Sequence, residues 1–264
     1  MLSIEEIKLL IEKLEKAKAS DLEKLLQTSI DDLKKIRDYI ERTDRDTGSF
    51  IKKGASFYRH DLQEKKNVKQ DEILYLAVKE KIWHFAKTNR YNSLEIGPGN
   101  AQFSTLFPAW RKQFYVDILK ETEKKVRYKF NDFHQKYIKF FLTDSFTCGE
   151  VPKNSVNFVF SWDTFVFFTE QQIEQYLSSI NQVLIPGGYA MLHYADCHYE
   201  HDLEMSKKGY WAYNNKAIMT SLLEKYDYTI MEMDQFKPGH NYTIFKKPGN
   251  ENPIVYKISE IVLD

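Results

Sequence analysis

From residue 92 onward the chain alternates short apolar runs with helical stretches, and it closes on two apolar runs separated only by the seven residues Asp234 to His240. The apolar runs predict strands near 92–96, 113–117, 138–142, 155–161, 187–194, 227–233 and 241–246. Three- and four-residue spacing predicts helices near 101–108, 119–134, 170–183 and 214–225. Parallel neighbours in a sheet need a crossover between them, which a helix supplies, so this alternation predicts a wound parallel sheet covered by helices on both faces. Seven residues cannot hold a crossover helix, so the last two strands must pair antiparallel. The expected fold is α/β: three layers around a seven-stranded, mostly parallel sheet with an antiparallel last strand.

The segment before this sheet is of another kind. Ile4, Ile7, Ile11 and Leu14, then Leu22, Leu25, Leu26, Leu33, Ile36 and Ile40, recur at helical steps among Lys and Glu. Ser3-x-x-Glu6 and Ser20-x-x-Glu23 are capping-box patterns that place helix starts near Ser3 and Ser20. Residues 1–50 are therefore expected to be an N-terminal helical region. It is either a cap on the rest of the chain or a coiled-coil pair that joins two copies, because the heptads are too short to choose. Residues 51–90 read as a connector and a helix over 72–86 leading into the core, residues 91–248 as the sheet-bearing domain, and residues 249–264 as a tail.

Charge narrows the partners. Lys plus Arg and Asp plus Glu are both 38, so no global field attracts nucleic acid or an anionic membrane. Cys148 and Cys197 have neither disulfide-framework nor zinc spacing, and no long uncharged apolar run occurs. The expectation is a soluble, cytoplasmic protein without a membrane span.

The first strand runs into Ser93-Leu94-Glu95-Ile96-Gly97-Pro98-Gly99-Asn100. Glycines at 97 and 99 allow a sharp turn and leave no Cβ between backbone and ligand. Asp117 ends the second apolar run about twenty residues further on, where an acid meets ribose hydroxyls in a wound α/β fold. A dinucleotide fingerprint needs a third small residue at 102, to seat a pyrophosphate on a helix end, and this chain has Gln102. Glu95 would repel a pyrophosphate and suits a cationic ligand.

Glu95-Ile96-Gly97-Pro98-Gly99 resembles the first motif of the class I S-adenosylmethionine-dependent methyltransferases, and the terminal antiparallel pair is similar to the end of their seven-stranded, Rossmann-like sheet. Gln182-Val183-Leu184-Ile185-Pro186-Gly187-Gly188-Tyr189 matches the family's Leu-x-Pro-Gly-Gly entry to the fifth strand, where proline stops the helix and the glycines turn the chain. Pro152 to Ser161 resembles its fourth strand, with Asn157 in place of the usual Asp. The resemblance implies S-adenosylmethionine as cofactor, held by Glu95, Gly97, Gly99, Gln102, Asp117, Asp144, Ser145 and Ser161. Asp144 is the adenine candidate, with a helix N-cap as its competing use. It also places Tyr58, Arg59 and His60, ahead of the first motif, where they can fold over the pocket, with an ordinary amphipathic loop as the stronger competing reading.

Methyl transfer is an in-line displacement, so the enzyme aligns the acceptor and excludes water, and a hydroxyl acceptor also loses a proton. Ser161-Trp162-Asp163 and His193 to His198 follow the fourth and fifth strands, which makes Asp163 and His193 the catalytic candidates. Asp163, His193, Asp196, His198 and His201 also read as a donor set for a divalent ion, but their spacing has no metal signature and no metal is expected. Residues 197–215, carrying His198, Tyr199, Tyr210, Trp211 and Tyr213, read equally as a lid over the acceptor or as a flexible insertion that packs its aromatics on the core. Aromatic faces beside amides and acids suit a small-molecule or saccharide acceptor methylated on oxygen. The competing functions are a nicotinamide-dependent oxidoreductase and a non-catalytic assembly protein of the same fold.

Overall fold

A computed structural model describes residues 68–86, 91–107 and 110–249. The N-terminal helices, the tail, Tyr58 and Arg59 lie outside the described residues. Helix α1 (Val68–Phe85) leads into β1 (Tyr91–Ile96) and β2 (Trp110–Asp117). Helices α2 (Glu121–Tyr128) and α3 (Asp132–Gln135) precede β3 (Ile138–Leu142) and β4 (Val156–Ser161). A 3-10 turn (Phe165–Phe167), α4 (Glu170–Val183), β5 (Leu184–Tyr194), α5 (Glu200–Lys207), α6 (Lys216–Lys225), β6 (Thr229–Gln235) and β7 (Asn241–Lys246) complete the order. The seven strands form one sheet ordered β3-β2-β1-β4-β5-β7-β6. β1 to β5 pair parallel, while β7 is antiparallel to both β5 and β6, as its short connection requires.

The sheet is buried on both faces, which is why β4 is apolar without alternation: Phe158 and Phe160 face α1, and Val159 faces α4. On α1, Leu74, Val78 and Ile82 recur every four residues and form the stripe that meets Phe158, Phe160 and Ile244. On the other face, Ile173, Leu177 and Ile180 of α4 and Leu222 and Leu223 of α6 close over Leu94, Val116 and Val159. Among the described residues no helix is long and apolar enough to cross a membrane.

Three expectations are corrected. Of the expected helix over 101–108, the described residues 101–107 form isolated turns. Ala101 adopts φ +57 and Pro108 bars the helical region to the residue before it, so only 102–107 remain, too few to repay nucleation. The expected helix over 119–134 is split in two, with Asn131 capping the second piece by accepting from the His134 N–H at 3.0 Å. Pro186-Gly187-Gly188 lies inside β5, which begins at Leu184, so the motif is an irregularity within the strand rather than a turn before it. A side chain at Gly188 would press within 3.1 Å of the Asn157 carbonyl on β4, which explains the small residue there.

Candidate active site

The carboxyl ends of β2, β1 and β4 lie side by side, and a cleft opens across them. Its cavity volume is ≈ 140 Å³. Its centre is the Gly97-Pro98-Gly99 turn. Gly97 (φ +67) has no room for a side chain, since a Cβ would stand 2.2 Å from Thr164 Oγ1, and that hydroxyl donates to the Gly97 carbonyl at 3.1 Å. Gly99 (φ +54) is different: its nearest neighbour to an added Cβ is 4.0 Å away, and it faces the cleft.

At the β2 end stands Asp117. Its carboxylate accepts the backbone N–H of Leu119 at 2.8 Å, with further bonds from Gly99 N–H, Thr122 and Ile118 N–H. Burial raises its pKa and these bonds oppose the rise. The result is a fixed acceptor suited to a vicinal diol. Lys125 at the rim donates to Asn100 Oδ1 at 2.8 Å and is the one cation among the described residues that line the cleft.

At the β4 end, Ser161 is a tether: it is buried and its hydroxyl donates to the Ile96 carbonyl at 2.8 Å. Trp162 and Asp163 follow, both in the cleft wall. Asp163 is held at φ +55, a left-handed conformation that a non-glycine residue keeps only when its surroundings impose it. His193 imposes it from behind. Its Nδ1 lies 3.0 Å from the Asp163 backbone N–H and 2.9 Å from Asp163 Oδ1, and its Nε2 lies 3.0 Å from the Gly239 carbonyl. A carbonyl only accepts, so Nε2 carries a proton and Nδ1 is free to accept from the N–H or, once protonated, to donate to the carboxylate. His193 is fully buried between Trp162 (4.6 Å) and His240 (5.6 Å). Burial pushes His240 down to about 4, with His193 adding to the fall.

Several expected site residues stand elsewhere. Glu95 points into the α1 face of the sheet between Tyr115 and Phe160, outside the cleft lining, and accepts the Ser104 hydroxyl at 2.6 Å. Burial pushes its carboxyl up to about 8, so at neutral pH it is mostly uncharged and supplies no counter-ion to a cationic ligand. The charge argument made from the sequence therefore fails, because it ignored desolvation. Asp144 and Ser145 are exposed at the end of β3 and outside the cleft lining. His193 is outside the cleft lining and meets it through its contacts to Asp163. His198 is exposed and pairs with Asp196 at 3.2 Å, Tyr210 is half-exposed, and Trp211 is buried against His193 and His201; none of the three lines the cleft. The presumed lid contains α5, whose Asp202 is buried and binds Asp196 N–H, Asn241 and His201. Of the five acids and histidines read as a donor set, Asp163 pairs with His193, Asp196 with His198, and His201 with Asp202, and among the described residues no group of three is placed to hold a metal. Gly97, Gly99, Gln102, Asp117 and Asp163 do meet in the cleft. Thr164 and Phe103 join them unannounced; only the aromatic beside the acid in Ser161-Trp162-Asp163 was visible in the sequence.

The donors and acceptors fit a nucleoside without phosphates. Asp117 suits a ribose, open space lies over Gly99, and Trp162 Nε1 is a buried N–H without a protein partner. Among the described residues no helix begins between the glycine turn and β2 to hold a pyrophosphate.

Fold and cleft together define the class I S-adenosylmethionine-dependent methyltransferase fold. Residues 94–192 match the methyltransferase domain family model. Solved structures agree on the fold. The PH0226 protein of Pyrococcus horikoshii OT3 is similar at 16% identity over 69% of this chain and 92% of its own, with a TM-score of 0.55. The N-methyltransferase NodS of Bradyrhizobium japonicum WM9, in complex with S-adenosyl-L-homocysteine, is similar at 14% over 66% and 87%, TM-score 0.52. Phosphoethanolamine N-methyltransferase 1 of Haemonchus contortus, in complex with phosphoethanolamine and S-adenosylhomocysteine, is similar at 15% over 62% of this chain but only 40% of its own, TM-score 0.50. No curated protein matches the sequence.

Proposed function

We propose that this protein is an S-adenosylmethionine-dependent methyltransferase acting on oxygen of a small-molecule or saccharide acceptor. The observation that carries the reading is the cleft itself: a fixed carboxylate at Asp117, an open glycine turn at Gly99 and a second carboxylate at Asp163, on three adjacent strand ends. The cofactor, when bound, supplies an electrophilic methyl group. Asp117 binds the ribose diol, the backbone at Gly97 to Gly99 receives the chain beyond it, and the aromatic wall of Phe103 and Trp162 keeps water out. Asp163 faces the acceptor and takes its proton. His193 is a positioning residue that can also receive this proton at Nδ1, since the 2.9 Å contact to Oδ1 becomes an N–H donor bond once the ring is charged.

Calorimetry with S-adenosylhomocysteine and NAD tests the cofactor: binding of the first and not the second is expected, and the reverse would make the protein a nicotinamide enzyme. A homocysteine-release screen over sugars, glycans and small alcohols and amines then tests the acceptor. Turnover confined to amines would overturn the assignment to oxygen.

A further inference from the structure

The turn that joins β6 to β7 carries Gly239, which is buried at φ +81 and whose carbonyl lies 3.0 Å from His193 Nε2. The turn is closed by the Phe236 N–H on the His240 carbonyl at 3.2 Å and by the His240 N–H on the Lys237 carbonyl at 2.9 Å. Helix α5 braces it at two points. The His201 ring packs so closely on Gly239 that an added Cβ would stand 2.5 Å from it, so only glycine fits there. Next to it Asp202, fully buried, accepts the Asn241 side-chain N–H at 2.6 Å where β7 begins. The same carboxylate accepts the Asp196 N–H at 2.8 Å just after β5, the strand that carries His193. A buried carboxylate is costly without its donors, so these bonds tie the start of β7 to the end of β5 and hold turn and histidine in one frame.

We infer that the Gly239 carbonyl, braced by His201 and Asp202, is a positioning group that keeps the proton of neutral His193 on Nε2 and leaves Nδ1 open to Asp163; the inference rests on the methyltransferase reading above. A neutral imidazole carries its proton on either nitrogen, and the neighbours choose which. On the Nδ1 side they pull in opposite directions: the Asp163 N–H at 3.0 Å is a donor and Asp163 Oδ1 at 2.9 Å an acceptor. That side alone does not decide the tautomer. Gly239 decides it, because a carbonyl only accepts. With the proton on Nε2, Nδ1 accepts the Asp163 N–H, which supports the left-handed backbone there, and its lone pair can take the proton that Asp163 removes from the acceptor hydroxyl. With the proton on Nδ1 instead, the ring donates to Oδ1, the N–H bond is lost and no lone pair faces the carboxylate. A carboxylate that already accepts such a bond is the weaker base.

The test reads the ring directly. Two-bond ¹H–¹⁵N spectra of histidine-labelled protein at about pH 8.5, with the His193 signals identified by their loss in His193→Asn, are expected to show the neutral ring protonated at Nε2. A proton on Nδ1 overturns the inference. Gly239→Ala sets a methyl against His201 and displaces the carbonyl. It is expected to mix the two tautomers and lower kcat about tenfold or more, with the acceptor KM and the Kd of S-adenosylhomocysteine within about twofold of wild type. In the His193→Asn background the same substitution is expected to change kcat less than about twofold, since the carbonyl acts through that ring. Lower stability with tautomer and kcat intact would make Gly239 structural only, and an equal fall in kcat in both backgrounds would mean that the turn acts by another route. Either result overturns the inference and leaves the function standing. Should Gly239→Ala not fold, His201→Ala, which removes the brace without adding a clash, takes its place with the same mixing expected. A folded wild type that transfers no methyl group would overturn the function, and the tautomer spectra then decide the inference by themselves.

Discussion

Glu95 illustrates how burial redirects a residue whose sequence context is unambiguous. Its carboxyl titrates near its ordinary 4.5 in the unfolded chain and near 8 in the fold. Below pH 4.5 it is neutral in both states. Between 4.5 and 8 the unfolded chain releases the proton and the fold retains it, so stability falls as pH rises and levels off above about 8. Glu95→Gln keeps the acceptor for Ser104 and removes this slope. Urea unfolding should find the variant close to wild type near pH 4.5 and more stable by about 4 kcal/mol at pH 8. A difference independent of pH would show that Glu95 is ionised in the fold.

The two glycines of the turn separate on the same scale. Gly97→Ala drives a methyl into Thr164 and should lower stability by about 3 kcal/mol. Gly99→Ala costs only the left-handed backbone, about 1 kcal/mol, and its methyl enters open cleft space, so a stable protein with weakened S-adenosylhomocysteine binding is expected. Asp163→Asn should reduce turnover of an oxygen acceptor by about 100-fold or more and remove the rising limb of its pH profile. His193→Asn, which cannot touch the acceptor, should lower kcat less and leave KM nearly unchanged.

Between residue and molecule lie the elements, and here the departures from pattern share a cause. α5 buries only Asp202 and Ser206, so it carries no apolar period to read; the buried carboxylate of Asp202, accepting from Asp196 N–H just after β5 and from Asn241 on β7, holds it in place. The 101–107 segment has the composition of a helix, yet Ala101 in a left-handed turn denies it a start. Lys247 makes the converse case. Its ammonium donates to the carbonyls of Asn181 and Leu184 at the end of α4, at 2.6 and 2.8 Å, although it lies sixty-odd residues away in sequence. Lys247→Met should lower stability by about 1–2 kcal/mol and increase amide exchange in the last turn of α4.

For the molecule as a whole, a ligand that binds only the folded state stabilises by mass action. At a hundredfold excess over its Kd, S-adenosylhomocysteine should add about 2.7 kcal/mol and raise Tm by about 5–10 °C, while NAD should leave Tm unchanged.

The sequence alone determined the architecture, because strand and helix periods, the Pro and Gly breaks and a seven-residue connection are local features that leave few sheets open. It also named Gly97, Gly99, Gln102, Asp117 and Asp163, whose positions at strand ends follow from the winding itself. Tertiary structure decided what these neighbours could not: that Glu95 is desolvated beneath the turn, that His193 is sealed behind Asp163, that Asp144 stays outside the cleft, and that Trp162 has a donor without a partner. Burial and pairing depend on residues brought from distant segments, and no spacing along the chain records them.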